Sequence, residues 1–472
     1  VTIRDRRTNR VGQSLREAVA TMLAILMSFG AVWAIDPEPG PLILAVVLSL
    51  SLSRSQLDRD WRGRLEAAVV LPLVGLVSLG VGLLLRSAPT AGALVFIAGI
   101  AGSIWLRRFG TTARRAGSLI ALPFVVLLVT PYRPPQQLGP TLTLLMPMVV
   151  ALIALVSVTL MHTLGQRLQW LPASAPTNDS GAAVVHESAL RPVASTRMAI
   201  QMAVALALAF AVGFGLFREH WSWVVLTAFI VNSGNRGRGD VAYKSLLRVV
   251  GAAIGTLIAL VVTARFDGQD ALTVGLMLLA VFLGVWLRPL GYAWWALFVT
   301  LALALLQGFL GSTAQMVLWP RLAEIIIGAI IGVAAAWFVL PVRSIAVLRL
   351  RIANALAVLS TAIDPATPVP TAEEFITAVA RVEQVAPAFR ARRWLLHRFD
   401  AMQPADWVDA LTACVVPAAA IIRSGAVPKG LRSEVGKARR AMREPAQILP
   451  ALQALRQCLG PPPGHEAAAA PR

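Results

Sequence analysis

Apolar runs of about twenty residues, separated by short polar breaks, follow one another along most of this chain. A helix of about that length crosses a hydrocarbon core of about 30 Å, so the pattern predicts an all-α polytopic membrane protein. Two runs, 41–53 and 221–233, are only thirteen residues long. At about 1.5 Å per residue each covers about 20 Å, short of the core. Each is expected either to end inside the membrane or to continue through its polar elbow as an amphipathic helix shielded by protein. Short segments at matching places in two halves are the best pointer a sequence offers to a transport site.

The halves emerge from the order of the runs. The first six are 15–35, 41–53, 65–85, 91–106, 117–130 and 141–164; the next six are 196–217, 221–233, 245–264, 271–287, 291–310 and 319–340. An offset of 180 residues lays one set on the other, placing Ser53 on Ser233, Asp60 on Asp240, Gly75 on Gly255, Arg108 on Arg288 and Pro140 on Pro320. About twelve transmembrane helices in two parallel six-helix repeats are expected, because each half starts on the same side. The repeats span 1–165 and 196–341, with a polar linker at 166–195. Val32-Trp33-Ala34 gives the first run the ending of a signal peptide, but its counterpart in the second half has no such role, so it is read as a span.

Charge orients the helices. The chain of 472 residues is 57% hydrophobic and 14% charged, with a formal net charge of +19. In a soluble protein that excess would suggest nucleic acid, yet here it sits at helix ends on one side. With the N-terminus inside, 20 basic residues fall on inner segments before the C-terminal part, against five on outer ones: Arg86, Arg133, Arg218, Arg265 and Arg321. This places both termini in the cytoplasm. No nucleic-acid partner is expected, and the bilayer is the first partner.

Beyond Pro341 the pattern changes to 17 basic residues scattered among apolar positions, with no further spanning run. Phe375, Val379, Val382, Ala386 and Phe389 recur at helical spacing after an acidic turn, Glu373-Glu374, capped by Thr371. Residues 342–458 read as a cytoplasmic helical domain and 459–472 as a disordered tail. Cys414 and Cys458 form no disulfide framework, and the five histidines no metal-ligand spacing, so no metal, cofactor or enzymatic activity is expected.

The elbow after the second short run holds a decoy. Gly237 to Ala242 fits GxGxxA and Lys244-Ser245 half-resembles the end of a phosphate loop, but Tyr243 stands where that loop needs glycine and no βαβ unit surrounds it. It reads instead as a flexible, positively charged turn, open to anions through Arg236, Arg238 and Lys244. Arg248 follows one turn beyond Lys244, either snorkelling to headgroups or meeting an anion at the inner entrance. Gly251 and Gly255 share its helix face and let another backbone approach. Asn232 and Thr256 complete the candidate pathway. Trp221 and Trp223, beside His220, have an interfacial-belt reading as well as a pathway one. After Pro320, Arg321 and Glu324 open the last span as an i,i+3 pair. If Glu324 faces a cavity it is the natural proton-coupling carboxylate, with Arg321 and His220 as the other coupling candidates.

Lys244 to Thr256 (KSLLRVVGAAIGT) and Arg321 to Gly328 (RLAEIIIG), with the span, short span, elbow and span order, resemble the fusaric acid resistance family of aromatic acid exporters and its anion-channel relatives. The resemblance is specific in the second half and weak in the first, where Ala68 stands for Arg248, and Thr141 and Leu144 for Arg321 and Glu324. It implies a bacterial inner-membrane exporter of small organic, aromatic carboxylate-like anions; in such an exporter the residues themselves would have Arg236, Arg238 and Arg248 draw the anion in and Glu324 couple its movement to protons. A passive anion channel and a non-transporting scaffold with a cytoplasmic interaction domain stay open. A homo-oligomer is compatible with such a chain. The periplasmic adaptor used by the family's larger pumps has no counterpart signal in this sequence.

Overall fold

Backbone N–H and C=O groups in a bilayer have no water to bond, so apolar runs must satisfy them internally, and helices do so. The computed structural model describes residues 3–54, 61–109, 140–171, 194–218, 220–234, 237–263, 271–309, 314–364, 372–396 and 403–460, with scattered positions between 113 and 128. Among them every long element is an α-helix: α1 (Ile3–Ile35), α2 (Pro39–Arg54), α3 (Trp61–Ser87), α4 (Pro89–Trp105), α5 (Pro140–Arg167), α6 (Ala194–Leu216), α7 (Trp221–Asn232), α8 (Arg238–Thr263), α9 (Ala271–Leu287), α10 (Tyr292–Phe309) and α11 (Ala314–Phe338). Seven shorter helices follow: α12 (Ser344–Ala362), α13 (Ala372–Glu383), α14 (Ala386–Leu396), α15 (Pro404–Ala413), α16 (Val415–Ser424), α17 (Leu431–Ala441) and α18 (Pro445–Leu459). Eleven described stretches are long and apolar enough to cross a membrane, nine of them before residue 341, and α2 and α7 are shorter apolar helices. This is a multi-pass helical membrane protein. Half of the expected run at 117–130, the linker from residue 172 to 193, Arg236, Thr371 and the tail from residue 461 lie outside the described residues.

The helices group into two compact units, residues 1–234 with 244–340, and residues 235–243 with 341–472. In the first, α1, α2 and α5 pack on one another, as do α6, α7 and α11. Leu48, Leu52, Leu71 and Val150 fill the interior of the first trio, with α3 added. Phe96, Leu206, Phe210 and Val224 lie in a second core. Within the second core α4 meets α6, with Phe96 edge-on to Phe210 at 5.5 Å. Elsewhere α1 meets α9, where Ser14 Oγ donates to the Trp286 carbonyl at 3.3 Å.

Expectation and structure part at two helix boundaries, and at a third the structure decides between the two alternatives open for the short run at 221–233. The last long helix starts at Ala314, with Pro320 inside it, so Arg321 and Glu324 do not open it. Proline favours a helix's first turn, which made Pro320 look like a start. Helix α7 does not continue through its elbow: it stops at Asn232, and Gly234 (φ +64°) and Gly237 (φ +129°) take left-handed conformations that glycine adopts without strain. The elbow is also shorter than expected, because α8 begins at Arg238 and carries Gly239, Asp240 and Lys244 as helical residues.

The second unit is built around one apolar core. Leu348, Ile352 and Leu356 of α12 pack with Phe375, Val379 and Val382 of α13, Leu411 of α15 and Leu452 of α18. Ala386 and Phe389, expected to continue the 375–382 face, join that core from the separate helix α14. Its surface carries an ion-pair network: Arg390 binds Glu383 at 3.0 Å and Asp409 at 2.7 Å, and Arg393 binds Asp406 and Asp409 at 2.7 and 2.8 Å. Against the expectation of no further apolar span, Ser344–Ala362 and Pro404–Ser424 meet the length and composition of one, although the second breaks into two helices at Cys414. Residues 237–239 belong to this unit: the Arg238 amide donates to the Val342 carbonyl at 3.1 Å and the Gly239 amide to Ser344 Oγ at 2.9 Å.

Candidate functional site

Small residues let the helices of the second membrane half come close enough to bury polar groups between them. A Cβ on Gly255 would stand 2.6 Å from the Leu297 carbonyl oxygen, and one on Gly251 would stand 2.8 Å from Ala296 Cβ, so α8 lies backbone to backbone on α10. A second such contact had its signal in Gly328-Ala-Ile-Ile-Gly332 of α11, which the sequence reading passed over. A Cβ at Gly328 would meet the Val224 carbonyl oxygen at 2.6 Å, and one at Gly332 the Asn232 Nδ2 at 2.8 Å, which seats α11 on α7.

Three charged side chains are held between these helices. Arg248 of α8, Arg321 and Glu324 of α11 are each only 1% exposed. Arg248 therefore does not snorkel to headgroups. Its Nη1 reaches Thr300 of α10 at 3.4 Å, and its Nε and Nη2 have no hydrogen-bond partner among the described residues. Arg321 Nη1 donates to Gln307 Oε1 of α10 at 3.0 Å, while its Nε and Nη2 also lack partners there. Thr300 and Gln307 are seven residues apart, two turns, so they lie on one face of α10. The Arg321 guanidinium sits 3.9 Å from the centre of the Trp223 ring. It feels the charges of both Arg248 and Glu324, and Oε2 of Glu324 has no partner among the described residues.

Magnitudes show that this arrangement is undercompensated. Taking a guanidinium out of water costs several kcal/mol. A hydrogen bond to a charged group returns about 1.5–3 kcal/mol, and a desolvated cation–π contact about 2 kcal/mol. Arg321 has one of each. Arg248 has its contact at 3.4 Å, longer than an ordinary N–H···O bond, a favourable electrostatic interaction with Tyr292, and a like charge nearby. Two neighbouring cations, of which Arg321 has the Glu324 carboxylate within reach, leave four N–H-bearing nitrogens without hydrogen-bond partners among the described residues and form a site that an anion completes.

The other candidates fall into separate places. Trp223, expected also as an interfacial anchor, is 4% exposed and forms the floor under Arg321. Trp221 is half-buried and packs against Phe210 and Phe214 at 5.4 and 5.2 Å. His220 is half-buried at the start of α7. Asn232 is buried, its Nδ2 donating to the Ala228 carbonyl at 3.0 Å and its Oδ1 unpaired among the described residues. Thr256 is buried with an equally unpaired hydroxyl. Arg238 is exposed, and Lys244 Nζ donates to the Gly234 carbonyl at 3.3 Å. Of the described members of the expected elbow-to-helix basic series, Arg248 joins the buried group and Arg238 and Lys244 do not.

Sequence reasoning missed Thr300 and Gln307. Gln307 had a signal, being the single polar residue in the run LALALLQGFL, and an isolated polar residue inside a span marks function by default. It also missed Asp36, between α1 and α2, which is 4% exposed, accepts the Glu38 amide at 3.1 Å and leaves Oδ2 unpaired among the described residues.

Residues 202–335 match the family model described as fusaric acid resistance protein-like, a stretch running from α6 into α11 that contains every member of the buried group. No curated protein and no solved structure matches the chain.

Proposed function

We propose that this fusaric acid resistance protein-like membrane protein transports small organic anions, aromatic carboxylates among them, outward across a bacterial inner membrane. The observation that carries the reading is the pair of buried guanidiniums, Arg248 and Arg321, with unpaired N–H groups beside the face of Trp223. A carboxylate supplies the missing acceptors, and an aromatic ring has an aromatic neighbour on which to lie. Glu324 is the acid placed to couple that movement to protons.

The wider architecture belongs to the same proposal. The two mutually packed trios, α1, α2, α5 and α6, α7, α11, are equivalent elements of two parallel repeats. The short helix of each trio, α2 or α7, ends at an elbow on the cytoplasmic side. The second compact unit is a cytoplasmic helical domain, because its apolar faces are consumed by one another and its ion pairs are those of a water-facing surface. Both termini are then cytoplasmic.

Inside-out vesicles loaded by uptake of labelled benzoate test the reading. Arg248→Ala is expected to lower uptake at least about tenfold, the scale on which removing a charged hydrogen-bond partner acts. Uptake at the wild-type rate in that variant, with equal amounts of folded protein, rules the site out. Benzoate current in a planar bilayer without any proton gradient would point to a channel.

A further inference from the structure

We infer that Glu324 sets the valence of the anion this site accepts, holding it to monoanions while its carboxylate is ionised. The inference rests on the anion-transport reading and names the charge class of its substrate.

Charge counting carries it. Arginine stays protonated in any folded protein, so Arg248 and Arg321 contribute two fixed positive charges. Glu324, on the same helix as Arg321 and within reach of its charge, is the one buried acid among the described residues of α6 to α11 within the membrane unit. On α8 the nearest acid to Arg248 is Asp240, eight residues and about 12 Å earlier along the helix. The other groups facing the arginines from the packed helices are the titratable phenol of Tyr292 on α10, which interacts with Arg248 and is neutral in its ordinary protonated form, Thr300 and Gln307 of the same helix, and Trp223 of α7. Two cations and one carboxylate leave a net charge of +1. In a low-dielectric interior an uncompensated charge is costly, so the occupant that neutralises the site is a monoanion. With the Glu324 carboxylate made neutral, the site holds +2 and a dianion becomes the matching occupant. Glu324 is thus a built-in competitor for the arginines, and its Oε2, with no other partner among the described residues, is free to act as one.

Benzoate and phthalate, one ring with one or two carboxylates, are the probes, and their affinities for purified full-length protein are read by calorimetry. Wild type should favour benzoate. Glu324→Gln should move the phthalate-to-benzoate affinity ratio at least about tenfold toward phthalate, roughly what one more unit charge about 8 Å away gives at an effective dielectric of about 20. Gln307→Glu works in the opposite sense and does not depend on the first variant folding. It turns the partner of Arg321 into a carboxylate, brings the site to zero net charge, and should weaken benzoate at least about tenfold. A ratio unchanged within about twofold in Glu324→Gln, or undiminished benzoate affinity in Gln307→Glu, overturns the valence assignment alone. Wild-type protein that binds neither probe overturns the transport reading as well.

Discussion

Positions 180 residues apart along the membrane unit differ most where one would expect equivalent halves to agree. Arg248, Arg321 and Glu324 are buried together, whereas Ala68, Thr141 and Leu144 stand at the corresponding places in the first half. Ala68 packs half-buried against the apolar core of Leu48, Leu52 and Leu71. The clearest polar contact inside that first trio is neutral, a 2.7 Å hydrogen bond between Ser28 and Ser49. The paired glycines at 75 and 255 also differ in their contacts. Gly255 abuts the Leu297 carbonyl, while a Cβ on Gly75 would meet its nearest atom, the Pro147 carbonyl oxygen, at an ordinary 3.5 Å. The buried charges thus lie in the second half of the membrane unit, and the residues 180 positions earlier carry none.

The strongest way to break that comparison is to move charge into the silent half. Ala68→Arg puts a guanidinium against an apolar core without a carboxylate and should cost roughly 3 kcal/mol or more. Detergent-solubilised variant protein should elute as aggregate in size-exclusion chromatography; a monodisperse peak with unchanged thermal unfolding would show that the first half tolerates a site too. A smaller effect separates the paired glycines. Gly255→Ala forces α8 and α10 apart and should destabilise by about 1–3 kcal/mol, whereas Gly75→Ala meets no clash and should be neutral or slightly stabilising, since alanine favours helix by about 1 kcal/mol. Equal melting temperatures for the two variants would erase the distinction. Least of all, Ser28→Ala removes one neutral hydrogen bond between helices, expected at about 0.5–1 kcal/mol in thermal unfolding, with benzoate transport untouched.

Much of the architecture was legible in the pattern of residues. Helix order, the short helices near 41–53 and 221–233, the close approach at Gly251 and Gly255 and the core face of Phe375, Val379 and Val382 all follow from spacing and residue size. The start of α11 was not, because Pro320 carries the same signal at a first turn as inside a helix that its neighbours support. The roles open to Trp223 and Arg248 were not legible either. Tryptophan near a helix end reads as a membrane anchor, and arginine near an inner surface reads as snorkelling, until something shows what packs over them.

The sequence by itself determined that this chain crosses a membrane many times, in what order its helices follow, and which residues carry charge into the apolar runs. Only the tertiary structure decided that Arg248, Arg321 and Glu324 meet, that Trp223 lies beneath Arg321, and that Thr300 and Gln307 face the two arginines from one side of α10. The reason lies in the solvent. In water a helix shows its buried face by the period of its apolar residues, as α13 does. In a bilayer, lipid and protein interior are equally apolar, so leucine and valine occupy both faces, and packing alone turns a given face inward.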